Sequence, residues 1–190
     1  MLRGTDVAHA ARIVRGGGVI AYPTETVYGI GAPATDTQAI HRVFAIKRRP
    51  ESQPLSIAVS SLEMLYDVAY VEREDFIRRF LPGPVTVILE KKSVLPDTLT
   101  AGSAYVGIRY PDHSMALELI GMTGPVVSTS ANLHGKPDPV SADEVSVDVD
   151  YVLDGGRSRY AGPSTIVDLH EYKIVRKGVM YDEVYRYMHG

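Results

Sequence analysis

Two kinds of short segment interleave along this chain, and their order limits the folds open to it. Apolar runs of four or five residues, such as Val19-Ile20-Ala21-Tyr22 and Val85–Leu89, each lie beside a Gly, Pro or hydroxyl cluster. Between them lie stretches with apolar residues at helical spacing, Val7, Ala10, Ala11 and Val14 in one and Ala39, Ile40, Val43 and Phe44 in the next. The spacing predicts helices over Asp6–Arg15, Asp36–Ile46, Glu72–Leu81 and Asp112–Ile120, with a short one from Asp182. Strands are expected over Val19–Tyr22, Leu55–Val59, Val85–Leu89, Tyr105–Arg109, Pro125–Ser128, Tyr151–Leu153, Thr165–Leu169 and Tyr172–Arg176. Several strands follow one another with no helix between them. The expected class is therefore α/β with a mixed sheet of roughly seven or eight strands, not a strict βαβ alternation.

No repeat, low-complexity stretch or linker divides the chain, so residues 1–190 are read as one domain with its own core. Apolar residues at 45% and charged residues at 23% exclude a disordered or fibrous chain. No apolar run reaches the ~18 residues of a membrane span, and the N-terminus carries no signal pattern. The lack of cysteine excludes a disulfide framework, a thiolate zinc site and a cysteine nucleophile. A cytoplasmic protein without membrane contact is expected. Twenty Lys and Arg against 23 Asp and Glu give a net charge of −3, which argues against bulk attachment to nucleic acid. Positive charge is concentrated locally, in Arg42, Lys47, Arg48 and Arg49 at the end of a predicted helix, where cations also complement the helix dipole.

Chemistry is expected at four polar clusters read as sitting at strand ends: Tyr22–Thr26, Lys47–Pro50, Ser128–Asn132 and Pro163–Thr165. Hydroxyls, an amide and cations together suit a phosphate-bearing ligand, although any one cluster alone equally suits a turn or a helix cap. No G-x-x-x-x-G-K-[ST], G-x-S-x-G or H-E-x-x-H sequence is present, and the six histidines are scattered. No metal set is therefore assigned, and general motif reading stops at an anion pocket.

Six stretches in order carry a resemblance. These are Tyr22–Gly31 (YPTETVYGIG), Lys47–Pro50 (KRRP), Leu81–Thr86 (LPGPVT), Val106–His113 (VGIRYPDH), Ser130–Asn132 (SAN) followed by Gly135-Lys136-Pro137, and Pro163–Asp168 (PSTIVD) with Arg176. Together they resemble the YrdC-like family of threonylcarbamoyl-AMP synthases, in its short single-domain form, from about Leu2 to Gly178. The resemblance implies a twisted open α/β sheet with a basic concave cavity. It also implies a reaction in which L-threonine, bicarbonate or carbon dioxide, and ATP with Mg2+ give threonylcarbamoyl-AMP and pyrophosphate. The product would pass to a tRNA threonylcarbamoyl-transferase complex acting on adenosine 37, with weak direct tRNA or double-stranded RNA contact as a further expectation.

By the same resemblance Lys47, Arg49, Ser130 and Asn132 fall at catalytic positions. Gln53, Asp138 and Arg176 join those four in contacting ATP, and Thr26, Arg109, Ser128 and Ser164 contact threonine. Glu25 is read as bracing the Thr24–Thr26 turn through backbone hydrogen bonds. Two positions depart from the family pattern: Ala58 stands where some members have a histidine near the threonine pocket, and Tyr105 where a threonine is common. The Lys47–Pro54 loop, with two prolines, is a candidate lid. The competing readings are an RNA-binding or ribosome-associated module and a carbamoyl-adenylate-forming relative of the hydrogenase-maturation carbamoyltransferases. This chain lacks the cysteine-rich modules those last proteins add.

Overall fold

Helix starts and stops follow local chemistry. Asp6 caps the first helix by accepting the His9 N–H at 2.9 Å, and Gly16 ends it. Asp36 caps the second through the Gln38 and Ala39 N–H groups, at 2.8 and 3.2 Å. In the computed structural model, which describes residues 1–190, the helices are α1 (Val7–Arg15), α2 (Thr37–Lys47), α3 (Leu62–Val68), α4 (Glu74–Phe80), α5 (Asp97–Thr100), α6 (Ser114–Thr123) and α7 (Tyr181–His189). The strands are β1 (Leu2–Gly4), β2 (Ile20–Tyr22), β3 (Gly29–Gly31), β4 (Ser56–Ala58), β5 (Ala69–Tyr70), β6 (Val85–Lys91), β7 (Tyr105–Arg109), β8 (Val126–Ser130), β9 (Tyr151–Leu153), β10 (Thr165–Asp168) and β11 (Lys173–Arg176). None of the helices is long and apolar enough to cross a membrane.

All eleven strands join one mixed sheet in the order β1-β9-β2-β3-β8-β4-β7-β6-β10-β11, with β5 paired to β6. The α/β mixed-sheet expectation holds, but the strand count exceeds seven or eight because β1, β3 and β5 escape pattern reading. The β3 strand, Gly29-Ile30-Gly31, has the composition of a turn. It is extended because the Tyr22 ring on β2 lies across it. A Cβ at Gly31 would stand 3.0 Å from Tyr22 Cδ1, and one at Gly29 would stand 3.2 Å from Tyr22 Cε1. The helical spacing also leaves out α3 and α5, although Ser61 caps α3 through the Met64 N–H at 3.1 Å.

Strand alternation sorts side chains onto two faces. Ala21, Ile30, Ile57, Val87, Ile108, Val127 and Val167 belong to the larger core, which also receives the apolar faces of α2, α3 and α4. On the opposite face Tyr22, Ala58 and Val126 form a second, smaller core with α1 and α6. These two helices cover only part of that face. Beyond them Ser56, Thr86, Gly107, Arg109, Ser128 and Ser130 line a cavity.

Candidate active site

The uncovered half of the sheet floors a cavity of about 540 Å³. Register brings its rows together: Ser56 pairs with Ser128, Gly29 with Ser130, and Thr86 with Arg109. Gly107 keeps the floor low, since a Cβ there would stand 2.5 Å from Ser56 Oγ and 3.3 Å from Thr86 Cγ2. Arg49, Arg109 and Arg176 share the lining with Asp138 and Asp168, so the concavity is polar and of mixed charge, not uniformly basic.

Arg109, at the end of β7, is nearly sealed at 7% exposure. Its Nη1 donates to Thr26 Oγ1 at 3.0 Å, and its Nη2 donates to a Glu25 carboxylate oxygen and to the Gly83 carbonyl at 3.4 Å. The Thr24 hydroxyl donates to Val27 O at 2.6 Å, so across the 2.9 Å contact between the two threonine hydroxyls Thr26 is the donor. The hydroxyl order from Arg109 to Val27 is thereby set. Glu25 makes no backbone hydrogen bond with its side chain. Its expected role as a turn brace gives way to an ion pair with Arg109.

A second knot surrounds Lys47, the last residue of α2. Arg48 ends that helix in the left-handed conformation (φ 51°), leaving Lys47 buried, Arg48 exposed and Arg49 on the cavity wall. The Lys47 ammonium donates to Ser130 O, to Asn132 O at 2.9 Å and to Asn132 Oδ1 at 3.1 Å. All three of its protons are engaged. Asn132 also accepts from Ser130 Oγ at 2.7 Å and donates through Nδ2 to Lys136 O and to Asp138 Oδ1, the latter at 3.2 Å. Because Asn132 Oδ1 faces an ammonium, the amide orientation is unambiguous. Burial, with Arg49 nearby, lowers the Lys47 ammonium to about 8, against a smaller opposing pull from Asp138.

Arg176, on β11, grips Ser164 from behind. Its Nε and Nη2 donate to Ser164 O at 3.1 and 2.8 Å, and Nη2 also reaches Ser164 Oγ at 3.1 Å. Ser164 in turn lies 2.7 Å from Thr86 Oγ1. Arg49 donates to Gln53 O at 3.4 Å and to Pro54 O at 3.0 Å, tying the Lys47–Pro54 loop to the wall. Burial lowers the pKa of both guanidinium groups.

Of the residues expected from sequence, Thr26, Arg49, Arg109, Ser128, Ser130, Asp138, Ser164 and Arg176 line the one cavity. Lys47 and Asn132 form the layer behind Ser130, and Gln53 contributes a carbonyl to Arg49 without lining the cavity. Ala58 lies in the α1/α6 core and Tyr105 on the cavity lining, so the two departures fall in different environments. The expected placement of polar clusters at strand ends is corrected twice. The Lys47 cluster ends α2, as the helical spacing of Asp36–Ile46 predicts, and so is at no strand end, and Pro163-Ser164 leads into β10. Thr86 and Glu25 were assigned no ligand role. A lone hydroxyl in the apolar run Val85–Leu89 was the readable signal for Thr86, whereas nothing local marked the partner of Glu25. No group of three or more His, Asp or Glu side chains is placed to hold a metal ion.

A sequence model of the Sua5/YciO/YrdC family, described as telomere recombination, matches residues 12–178. The chain belongs to this family. It is 42% identical to a threonylcarbamoyl-AMP synthase of Pyrococcus abyssi, over 86% of this chain and 50% of that protein. A threonylcarbamoyl-AMP synthase of Pseudomonas syringae is 35% identical over 94% of this chain and its own full length. The chain thus spans about half the length of the Pyrococcus relative and all of the Pseudomonas one. The crystal structure of P. abyssi Sua5 complexed with L-threonine superposes with a TM-score of 0.91 at 37% identity, covering 100% of this chain and 60% of that one. Full-length HypF, at 18% identity, a TM-score of 0.79 and coverage of 90% of this chain and 29% of its own, shares the fold alone.

Proposed function

We propose that this protein is a threonylcarbamoyl-AMP synthase, joining L-threonine, bicarbonate and ATP with release of pyrophosphate. The observation that carries the reading is a single cavity whose wall carries two separate groups of cations and hydroxyls. One is Arg109 among Thr26, Thr86 and Ser164, suited to an amino acid carboxylate. The other is Arg49 and Ser130 with Lys47 behind them, suited to a triphosphate. The likeness to a Sua5 crystallised with L-threonine supports the first assignment.

In the proposed reaction bicarbonate takes up a proton and loses water to give carbon dioxide, and the threonine amine adds to it and loses a proton, giving a carbamate. A carbamate oxygen then forms a bond to the α-phosphorus of ATP as the bond to the β-phosphate oxygen breaks, and pyrophosphate leaves. Charge grows on phosphoryl oxygens, so fixed cations and hydroxyl donors are the useful groups. Arg49 faces the phosphates directly, while Lys47 exchanges a carbonyl oxygen for a phosphate oxygen. Ser130 and Asn132 stay aligned through their mutual hydrogen bond. Ser128 joins Thr26 and Ser164 around the amino acid, and Arg176 holds Ser164 in place. Magnesium, if bound with ATP, would neutralise phosphate charge. Asp138, which lines the cavity and whose charge is felt by both Lys47 and Arg176, is a carboxylate that could join such an ion, and this sparse donor set fits an ion that keeps its waters and phosphate ligands. The adenylate product would pass to a tRNA-modifying transferase.

Pyrophosphate release, measured with and without L-threonine and bicarbonate, tests this reading. Release that requires both and collapses in Lys47→Ala is the expected result. Threonine-independent release, or none, overturns it, and binding of RNA without turnover would then favour a binding module.

A further inference from the structure

Glu25 and Arg109 form the ion pair in this molecule whose two side chains are both nearly sealed, at 2% and 8% exposure. Removing two charges from water is costly, and such a pair is weak support for stability by itself. The turn that carries Glu25 does not need it. Thr24 Oγ1 closes that turn by accepting the Thr26 and Val27 N–H groups, at 3.2 and 3.3 Å, and by donating to Val27 O. The buried charge of Glu25 therefore serves Arg109.

Two further atoms show how. Glu25 Oε2 and Arg109 Nε are both buried, and neither has a hydrogen-bond partner. Arg109 Nη2 already contacts Glu25 Oε1. A carboxylate seated side-on against Nε and Nη2 would satisfy both orphaned atoms with one added hydrogen bond. The opposite edge of the guanidinium, at Nη1, has only the Thr26 hydroxyl as partner.

We propose that Glu25 is a positioning residue that holds one edge of the Arg109 guanidinium, so that the other edge is presented to the carboxylate of an α-amino acid substrate. This rests on the reading of the cavity as an amino acid site. Glu25 itself touches no substrate. It sets the direction of the group that does, and thereby the preference for a free carboxylate over a neutral amide.

The test compares binding of L-threonine, L-threoninamide and Mg-ATP by calorimetry in the wild type, Glu25→Gln and Glu25→Asp. Glu25→Gln should weaken L-threonine by about tenfold or more, because a buried charge pair is broken, while ATP affinity changes by less than about twofold. The preference for threonine over threoninamide should shrink in step. In an Arg109→Met background Glu25→Gln should add no further loss. Should Glu25→Gln unfold, Glu25→Asp, which keeps the charge but withdraws it by one methylene, must show the same split. Equal losses for threonine and ATP, or unchanged threonine affinity and preference, would overturn the positioning role. Failure of the wild type to bind L-threonine would instead overturn the amino acid reading.

Discussion

Ala58 and Val126 lie beneath α1 and α6, whereas Ser56 and Ser128, two residues away on the same strands and the same face, floor the cavity. The backbone and register are continuous across that boundary, and only the helical cover changes. Under the helices no water can reach a side chain, so a polar group there would lose its hydrogen bonds without replacement. Where the cover ends, a hydroxyl keeps solvent or ligand within reach and costs the fold little. The switch from apolar to hydroxyl along one face marks the edge of the site.

The largest effect should come from violating the covered half. Val126→Asp places a carboxylate under α1 and α6 and should cost about 4 kcal/mol or more, enough to threaten a domain of ordinary stability. Ser128→Asp, in the open half, should leave thermal unfolding nearly unchanged and reduce substrate binding instead. Equal melting temperatures for the two variants would break the comparison.

Next in size is the wall of the cavity. Arg49→Ala should slow pyrophosphate release roughly a hundredfold, about 3 kcal/mol in the barrier, with little change in unfolding. Lys47→Ala should lose comparable activity and also stability, because the buried carbonyls of Ser130 and Asn132 lose their shared donor. Calorimetric melts alongside rate assays separate a residue on the wall from one inside it.

A pH titration sharpens the same distinction. Burial lowers Lys47 from 10.5 to about 8, so its ammonium is intact below that pH and is lost above it. A polyanion favours the charged form, and ATP affinity should fall as pH rises through about 8, by at most about tenfold per pH unit. Lys47→Met should remove that inflection. For stability the sign is opposite to the usual lysine case. The cost of keeping a buried ammonium is fully present below about 8 and is relieved between 8 and 10.5, so this group's contribution improves with rising pH. An unchanged inflection in Lys47→Met would assign it to another group.

The smallest effect is expected at Gly107. Gly107→Ala raises the floor against the Ser56 hydroxyl, and a shift of that side chain should hold the cost to about 1 kcal/mol, read as a few-fold rise in KM. A thermal penalty with unchanged KM would place Gly107 outside the ligand path.

Much of this arrangement was legible beforehand, for reasons that differ by residue. The strands carrying Arg109 and Leu153 were read with the ends they have, because a polar or turn cluster closes each. The β3 strand was not, because its glycines answer to a tyrosine ring on another strand and not to strand propensity. Most residues singled out by the family resemblance do line the cavity. Lys47, Asn132 and Gln53 do not line it: Lys47 and Asn132 lie behind Ser130, and Gln53 offers its carbonyl to Arg49. Glu25 was misread because its partner lies 84 positions along the chain.

What the sequence determined by itself is what neighbours in the chain decide: caps at Asp6 and Asp36, the two periodicities, and the grouping of hydroxyls and cations into short clusters. What only the tertiary structure decided is which of those groups share a space and which way each points. Arg109 meets Thr26 across 83 positions, and Lys47 meets Ser130 across another 83. Backbone periodicity is set by local sterics and hydrogen bonds, so it can be read from adjacent residues. The direction of a buried cation is set by whichever distant oxygens the sheet order brings within about 3 Å, and no local pattern encodes that distance.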